Sequence, residues 1–307
     1  MDTASKSWFV IINPTSGNGS GKKNWPKIKS LLEKHEFIFE HVLTTYSKHS
    51  IKLVHQAIKQ NFKNIISVGG DGTLHNIVNG IMTQNNVPTS KINVGVIPIG
   101  TGNDWVKTHK IPKNIDSAIQ LIKNKKIAHQ DIGKIEFLNQ TKTPVYFNNL
   151  AGIGFDGYVV SKVNKHKYIG ALAYLYGTLI SLFFFKNFES KVSSNSETIS
   201  GKTLMVLVGV CKYSGGGMQL TDSPNPFDGY FDISIAKNLS KLDVIKNVSK
   251  LFNGKISNHK KIQTFKSKHI KVEINQDEFP FIQADGELIG TGNIKITLIP
   301  KAFSLYC

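Results

Sequence analysis

The sequence predicts an α/β protein in two parts, a doubly wound N-terminal domain over residues 1–130 and a β-rich domain over residues 131–307. Three observations carry this. Strand-like and helix-like runs alternate through the first third, which implies repeated βα units and a mainly parallel sheet. Three of those strands run straight into glycine-bearing turns. From Asp131 onward, short apolar runs separated by glycine or asparagine turns replace the alternation.

Taken in order, "SWFVII" (Ser7 to Ile12) reads as a strand, and "PKIKSLLEKH" as a helix with Pro26 near its start and Ile28, Leu31 and Leu32 on one face. "FIFEHVL" is the next strand and "IKLVHQAIKQ" the next helix. "NIISV" (Asn64 to Val68) is a β-branched strand, followed by a helix in "TLHNIVNGIM" that puts Leu74, Ile77, Val78 and Ile81 on one face. "NVGVIP" (Asn93 to Pro98) and a helix around "IDSAIQLIK" complete the first domain. In the second, "PVYFNN", "TLMVLVGV", "YFDISI", "HIKVEIN", "PFIQA" and "NIKITLIP" read as strands, interrupted by helices at about 157–184 and 239–252. The apolar stretch Tyr168 to Phe185 only reaches the lower limit for crossing a bilayer and holds two glycines and three tyrosines. It is expected as a buried or groove-lining helix, with an apolar surface for a lipid tail or a membrane as the alternative.

Lys+Arg of 38 against Asp+Glu of 21 gives a net charge of +17, which suits an anionic ligand, a nucleic acid or an anionic membrane surface. There is no arginine, so phosphate has to be held by backbone, lysine or metal without a guanidinium fork. The two cysteines, Cys211 and Cys307, match no metal or redox spacing, and the polar start of the chain resembles no signal peptide. A cytoplasmic location is expected.

The three glycine turns are "NPTSGNGSGKK", "GGDGT" and "IGTGNDW". In a parallel sheet they fall at the carboxyl ends of the strands, where ligands bind and helix starts favour anions. None has the spacing of a P-loop or a dinucleotide fingerprint, and each alone reads as a tight turn. Together they can enclose a nucleotide.

"NPTSG" (Asn13 to Gly17), "GGDGT" (Gly69 to Thr73), "PIGTGND" (Pro98 to Asp104), "PFDGYFD" (Pro226 to Asp232) below "YSGGGM", and the late "DGE" (Asp285 to Glu287) occur in an order and at spacings that resemble the bacterial diacylglycerol kinase and lipid kinase family, related to sphingosine kinases. The resemblance covers nearly the whole chain. It implies an ATP-binding α/β domain and a sandwich-like lipid-binding domain similar to those of NAD kinases and diacylglycerol kinases. It also implies transfer of the γ-phosphoryl group to a lipid hydroxyl, diacylglycerol first and a sphingoid base or other lipid alcohol next. An NAD kinase-like enzyme and a non-catalytic lipid-binding homologue are the alternatives. The implied partners are a lipid at an anionic membrane surface, approached peripherally from the cytoplasmic side, and no nucleic acid; a homodimer is compatible with it.

Carried over from the resemblance, Asn13, Pro14, Thr15, Ser16, Gly17, Thr44, Gly70, Asp71, Gly72, Thr73, Leu74, His75, Asn76, Thr101 and Asp104 line the nucleotide. Asp71 is the carboxylate that reaches Mg²⁺ or the phosphates, with Asp104 in support. Glu287 is the general base, with Asp285 beside it as metal or hydrogen-bond partner; read from the residues alone, "ADGE" is a hairpin turn. A separate structural Mg²⁺ site is implied at Asn225, Asp228 and Tyr230, where an ordinary turn is the alternative. Two departures stand out: Lys107 is the only cation near the third turn, where the family commonly has an arginine, and His75-Asn76 replaces Asn-Glu. Asp71 is expected to matter for chemistry more than for folding, because a carboxylate in a glycine turn adds little to a core.

Overall fold

The computed structural model describes residues 7–124, 126–163, 177 and 180–307. Two compact units divide it, one of Met1–Gln130 with Lys301–Cys307, the other of Asp131–Pro300. The last seven residues therefore return to the first unit, which amends the expected division of the chain at residue 130.

In the first unit, strands β1 (Trp8–Ile12), β2 (Phe39–Leu43), β3 (Asn64–Gly69) and β4 (Asn93–Pro98) pair in parallel in the order β4-β3-β1-β2. β1 and most of β3 and β4 are buried, as continuous apolar runs in a parallel sheet should be. Alternate residues serve opposite faces. Val10, Ile12, Ile66 and Val68 join Ile28 and Leu32 of α1 (Ser20–Lys34) and Ile119 and Ile122 of α5 (Ile115–Lys123) in one core cluster. α2 (His49–Lys59) packs against α3 (Asp71–Thr83), where a Cβ on Gly80 would lie 2.8 Å from the Val54 Cβ. α1 begins six residues before the Pro26 that sequence reading placed at its start, and Pro26 lies inside the helix. The polar "SGKKNW" offered no apolar period to read.

The end of the last strand, β15 (Ile294–Tyr306), completes this sheet: Ser304 and Leu305 pair in parallel with Asn93 and Val94. Tyr306 is buried against Trp8 at 5.2 Å between ring centroids, and its hydroxyl donates to Asn64 Oδ1 at 2.8 Å. Tyr306→Ala is expected to cost about 3 kcal/mol in urea unfolding, the usual loss for a buried aromatic; a change below about 0.5 kcal/mol would show the terminal strand to be dispensable.

In the second unit, β7 (Leu150–Gly154), β8 (Phe188–Ser193), β9 (Thr198–Gly209), β12 (His269–Ile274), β13 (Phe281–Ala284), β14 (Glu287–Thr291) and the start of β15 pair antiparallel in the order β14-β13-β7-β9-β8-β12-β15. β10 (Phe231–Lys237) joins β9 and β11 (Ile262–Ser267), and β5 (Ile127–Phe137) pairs with β6 (Val145–Phe147). β5, β7, β8, β11 and β14 are strands beyond those the sequence predicts; β8, β11 and β14 mix polar and apolar residues without a long apolar run. The helix expected at 239–252 is a six-residue helix, Lys241–Lys246, opened by a Ser240/Asp243 capping box and followed by a 3₁₀ turn at Val248–Leu251. The helix expected from about 157 begins as α6 (Phe155–Val163), while most of the Tyr168–Phe185 stretch lies outside the described residues. Among the described residues no helix is long and apolar enough to cross a membrane.

Candidate active site

The loops that follow β1, β3 and β4 leave adjacent parallel strands at the same edge of the first unit's sheet, and side chains tie each to the others. Asn13 Nδ2 donates to Thr73 Oγ1 at 3.0 Å, joining the first loop to the second, while Asn13 Oδ1 accepts from the Thr15 amide and hydroxyl. Ser16 touches all three: its hydroxyl donates to the Ile99 carbonyl and accepts from the Gly70 amide at 2.9 Å. Where the second and third loops meet, a Cβ on Gly100 would sit 2.7 Å from Gly70 Cα, so only glycine permits this approach. The starts of α1 and α3, at Gly19 and Gly70, carry no side-chain cap. A helix start without a side-chain oxygen is suited to an anionic oxygen from a ligand.

Asp71 opens α3, and both its carboxylate oxygens reach into the third loop. Oδ2 accepts from the Asp104 amide at 3.0 Å and Oδ1 from the Trp105 amide at 3.3 Å. These are the first two amides of α4 (Asp104–Thr108), whose own preceding residue, Asn103, is left-handed at φ 50° and gives no side-chain cap. Asp71 therefore caps α4 from another loop, which corrects the expectation that it adds little to the fold. Gly102 sits between the two acids: a Cβ there would lie 3.4 Å from Asp71 Oδ2 and 3.8 Å from Asp104 Oδ2. Asp104 is buried, with Lys107 Nζ at 3.5 Å from its Oδ1.

Trp105, which sequence reading passed over, anchors α4. It is buried and donates from Nε1 to Gln130 Oε1 at 2.9 Å, and its ring lies 4.2 Å from His109. Burial pushes the His109 pKa down to about 4, against a hydrogen bond to Gln130 that raises it, so the ring beside Trp105 is neutral at physiological pH.

The remaining first-unit candidates divide by exposure. Thr15 and Thr101 are exposed, and Pro14, Gly17, Thr44, Gly72 and Asn76 are partly so. Leu74 and His75 are buried at 2% and 5%, and His75 Nε2 lies 3.3 Å from Asn79 Nδ2 inside α3. The side chains of Leu74 and His75 thus belong to the core, which leaves only their backbone for a ligand.

In the second unit, Asp285 and Gly286 form a two-residue turn between β13 and β14, both left-handed at φ 51° and 81°, with Ala284 paired to Glu287. This is the hairpin turn that Asp-Gly favours. Asp285 Oδ1 accepts from the Asn149 and Leu150 amides at 2.9 and 3.1 Å, and Oδ2 from the Asn148 amide at 3.1 Å. Its carboxylate thus pins the turn to the strand entrance at 148–150. Glu287, partly exposed, is the first residue of β14.

At the implied structural Mg²⁺ site the Asp228 carboxylate has a lysine beside it. Asp228 Oδ2 is ion-paired with Lys266 Nζ at 2.7 Å, its Oδ1 accepts from the Tyr230 amide at 3.0 Å, and Asn225 Oδ1 accepts from the Phe227 amide. Lys266 also lies 3.5 Å from Asp232 Oδ2, and the Asp228 hydrogen bond raises the Lys266 pKa. Burial raises that of Asp232, with the Ser223 amide and Lys266 opposing. An ammonium lies beside both acids here. Without nucleotide, thermal unfolding is expected to be the same in EDTA and in millimolar Mg²⁺, and Lys266→Met to cost about 1 kcal/mol for a part-exposed pair. A melting temperature that climbs with Mg²⁺ would show a metal in place of the lysine.

For a metal carried by a nucleotide the first unit is better furnished. Among the described residues no group of three or more His, Cys, Asp or Glu could hold a metal ion alone. Two carboxylates around one glycine fit a Mg²⁺ that brings phosphate oxygens and water with it.

Comparison with known proteins identifies the family. Residues 7–135 match the family described as the diacylglycerol kinase catalytic domain, and residues 149–307 match the YegS C-terminal NAD kinase beta sandwich-like domain. A diacylglycerol kinase of Staphylococcus saprophyticus is 30% identical over 92% of this chain and 88% of its own length. One of Bacillus subtilis is 28% identical over 92% and 89%. A crystal structure of a diacylglycerol kinase from Bacillus anthracis str. Sterne aligns at a TM-score of 0.73 over 99% of this chain and 98% of that one, at 24% identity, which speaks for the fold. The chain is therefore a mixed α/β protein with a sandwich-like second domain, and it belongs to the diacylglycerol kinase family of lipid kinases.

Proposed function

We propose that the protein transfers the γ-phosphoryl group of ATP to the hydroxyl of a membrane lipid, with diacylglycerol as acceptor and phosphatidate as product. The observation that carries this reading is the knot of three loops in the first unit, with Asp71 and Asp104 flanking Gly102. Phosphoryl transfer asks mainly for positioned phosphates and neutralised charge. With no arginine in the chain, backbone amides of the first and second loops and lysines such as Lys107 take the phosphates. Mg²⁺, when bound with ATP, supplies the charge that offsets developing negative charge on the phosphoryl oxygens. Asp71 and Asp104 would hold it. Glu287 accepts the proton of the lipid hydroxyl, and Asp285, its oxygens engaged by three amides, orients the turn before it.

Diacylglycerol-dependent ADP formation in detergent-dispersed substrate tests this. The reading expects ADP release that requires both Mg²⁺ and the lipid, and ADP formation indifferent to lipid would oppose it.

The membrane part of the proposal draws on two features. The net charge is +17, and Ile180, Phe183 and Phe184 of the second unit are exposed at 41%, 55% and 72%, with Lys241 Nζ 5.7 Å from the Phe183 ring centroid. Apolar tips beside lysine suit peripheral docking at the anionic inner face of the membrane. Binding to vesicles containing anionic lipid is expected to weaken as salt shortens the Debye length from about 10 Å at 0.1 M to about 3 Å at 1 M. Sedimentation indifferent to salt and to anionic lipid would remove this role for the lysines.

A further inference from the structure

The hairpin before Glu287 is held from a second side by a pair of residues with no part in the chemistry so far. Gln283 of β13 is 2% exposed, and both ends of its carboxamide are used. Its Oε1 accepts from the Gly286 amide at 2.7 Å, and its Nε2 donates to Asp156 Oδ2. The β13/β14 register shifts between Ile282 and Gln283, an irregularity of the kind that re-aims a side chain.

Room for this contact is made by two glycines. A Cβ on Gly152 of β7 would lie 2.0 Å from Asp156 Oδ2, and one on Gly157 of α6 would lie 2.3 Å from the Phe281 carbonyl oxygen. A side chain at the first would displace the acid, and one at the second would lift α6 off β13. Asp156 keeps some exposure as a residue, yet burial of its carboxyl pushes the pKa up to about 6, against the Gln283 hydrogen bond that lowers it. Keeping an acid where its ionised form is disfavoured costs stability at neutral pH, and such acids concentrate at functional sites.

We propose that Asp156 is a positioning residue: by holding Gln283, which holds the Gly286 amide, it sets the orientation of the turn that leads into Glu287. This rests on the reading of Glu287 as the base. Without the Asp156 acceptor, the buried Gln283 amide nitrogen has to find another partner, and the turn loses the brace opposite Asp285. Small misplacements of a catalytic group are costly, up to about 10²-fold for 1 Å.

The test measures kcat and KM for ATP and lipid in the full-length protein with Asp156→Ala, Asp156→Asn, Gln283→Met and Glu287→Gln side by side. Asp156→Ala and Gln283→Met are each expected to lower kcat by roughly tenfold or more with KM for ATP unchanged. Asp156→Asn, whose carboxamide oxygen still accepts the Gln283 N–H, recovers most of that loss. Gln283→Met alone decides the matter if Asp156→Ala does not fold. Retained kcat in Gln283→Met and Asp156→Ala beside a lowered melting temperature would reduce the pair to a structural contact and overturn the proposal. Equal losses in Asp156→Asn and Asp156→Ala would overturn it too, since the hydrogen bond would not be what matters. Retained kcat in Glu287→Gln would instead overturn the assignment of the base, and with it the purpose of the brace.

Discussion

Glu287→Gln is expected to lower kcat by roughly 10²–10⁴-fold, the usual contribution of a positioned general base. The substitution keeps size and hydrogen bonding but leaves a group that cannot accept the lipid hydroxyl proton. Nucleotide affinity is expected to stay the same, because the loops assigned to ATP belong to the first unit and Glu287 to the second. The hairpin should survive the change, since its turn depends on Asp285, Gly286 and the three amides bound by Asp285. Steady-state kinetics with nucleotide titration separate these effects. Unchanged kcat with weaker ATP or Mg²⁺ binding would make Glu287 a binding group and leave the base to be sought elsewhere.

Asp71→Ala is expected to abolish transfer and also to lower stability, by about 1 kcal/mol for the lost helix cap. The two parts have different origins. The chemical loss follows from removing one of the two carboxylates around Gly102. The stability loss follows from the Asp104 and Trp105 amides, which lose their acceptor. Trp105 remains buried and bonded to Gln130, so α4 should loosen rather than unfold. Activity assays beside thermal melts check both. An active Asp71→Ala enzyme would refute its part in catalysis, and an unchanged melt would show that the cap is not felt.

Much of this was legible in the sequence because glycine and apolar period are local signals. "GGDGT" after a β-branched run marks a strand-to-helix turn, and "ADGE" marks a hairpin; the left-handed Asp285 and Gly286 are what that pair provides. What escaped depends on neighbours distant in the chain. Nothing near Asp71 shows that its partners are amides more than thirty residues later. The pairing of Lys266 with Asp228 spans 38 residues, so the sequence shows the acid without the lysine that lies beside it. The apolar run "NIKITLIP" ends at Pro300, yet β15 continues to Tyr306 and joins the first unit's sheet. Asp156 and Gln283 lie 127 residues apart and carry no motif. Leu74 and His75 stand beside GGDGT in the sequence; the helical period accounts for burial of Leu74, while His75 is buried off that face.

The central claim, phosphoryl transfer from ATP to a lipid hydroxyl, is tested most directly by identifying the labelled product. The full-length protein is given ATP labelled in its γ-phosphate and Mg²⁺, with diacylglycerol, a sphingoid base and NAD presented together in mixed micelles, and the products are separated. Label in phosphatidate, absent when diacylglycerol is omitted and lost in Glu287→Gln, is the expected result; label in phosphorylated NAD, or none in any lipid, would contradict the account.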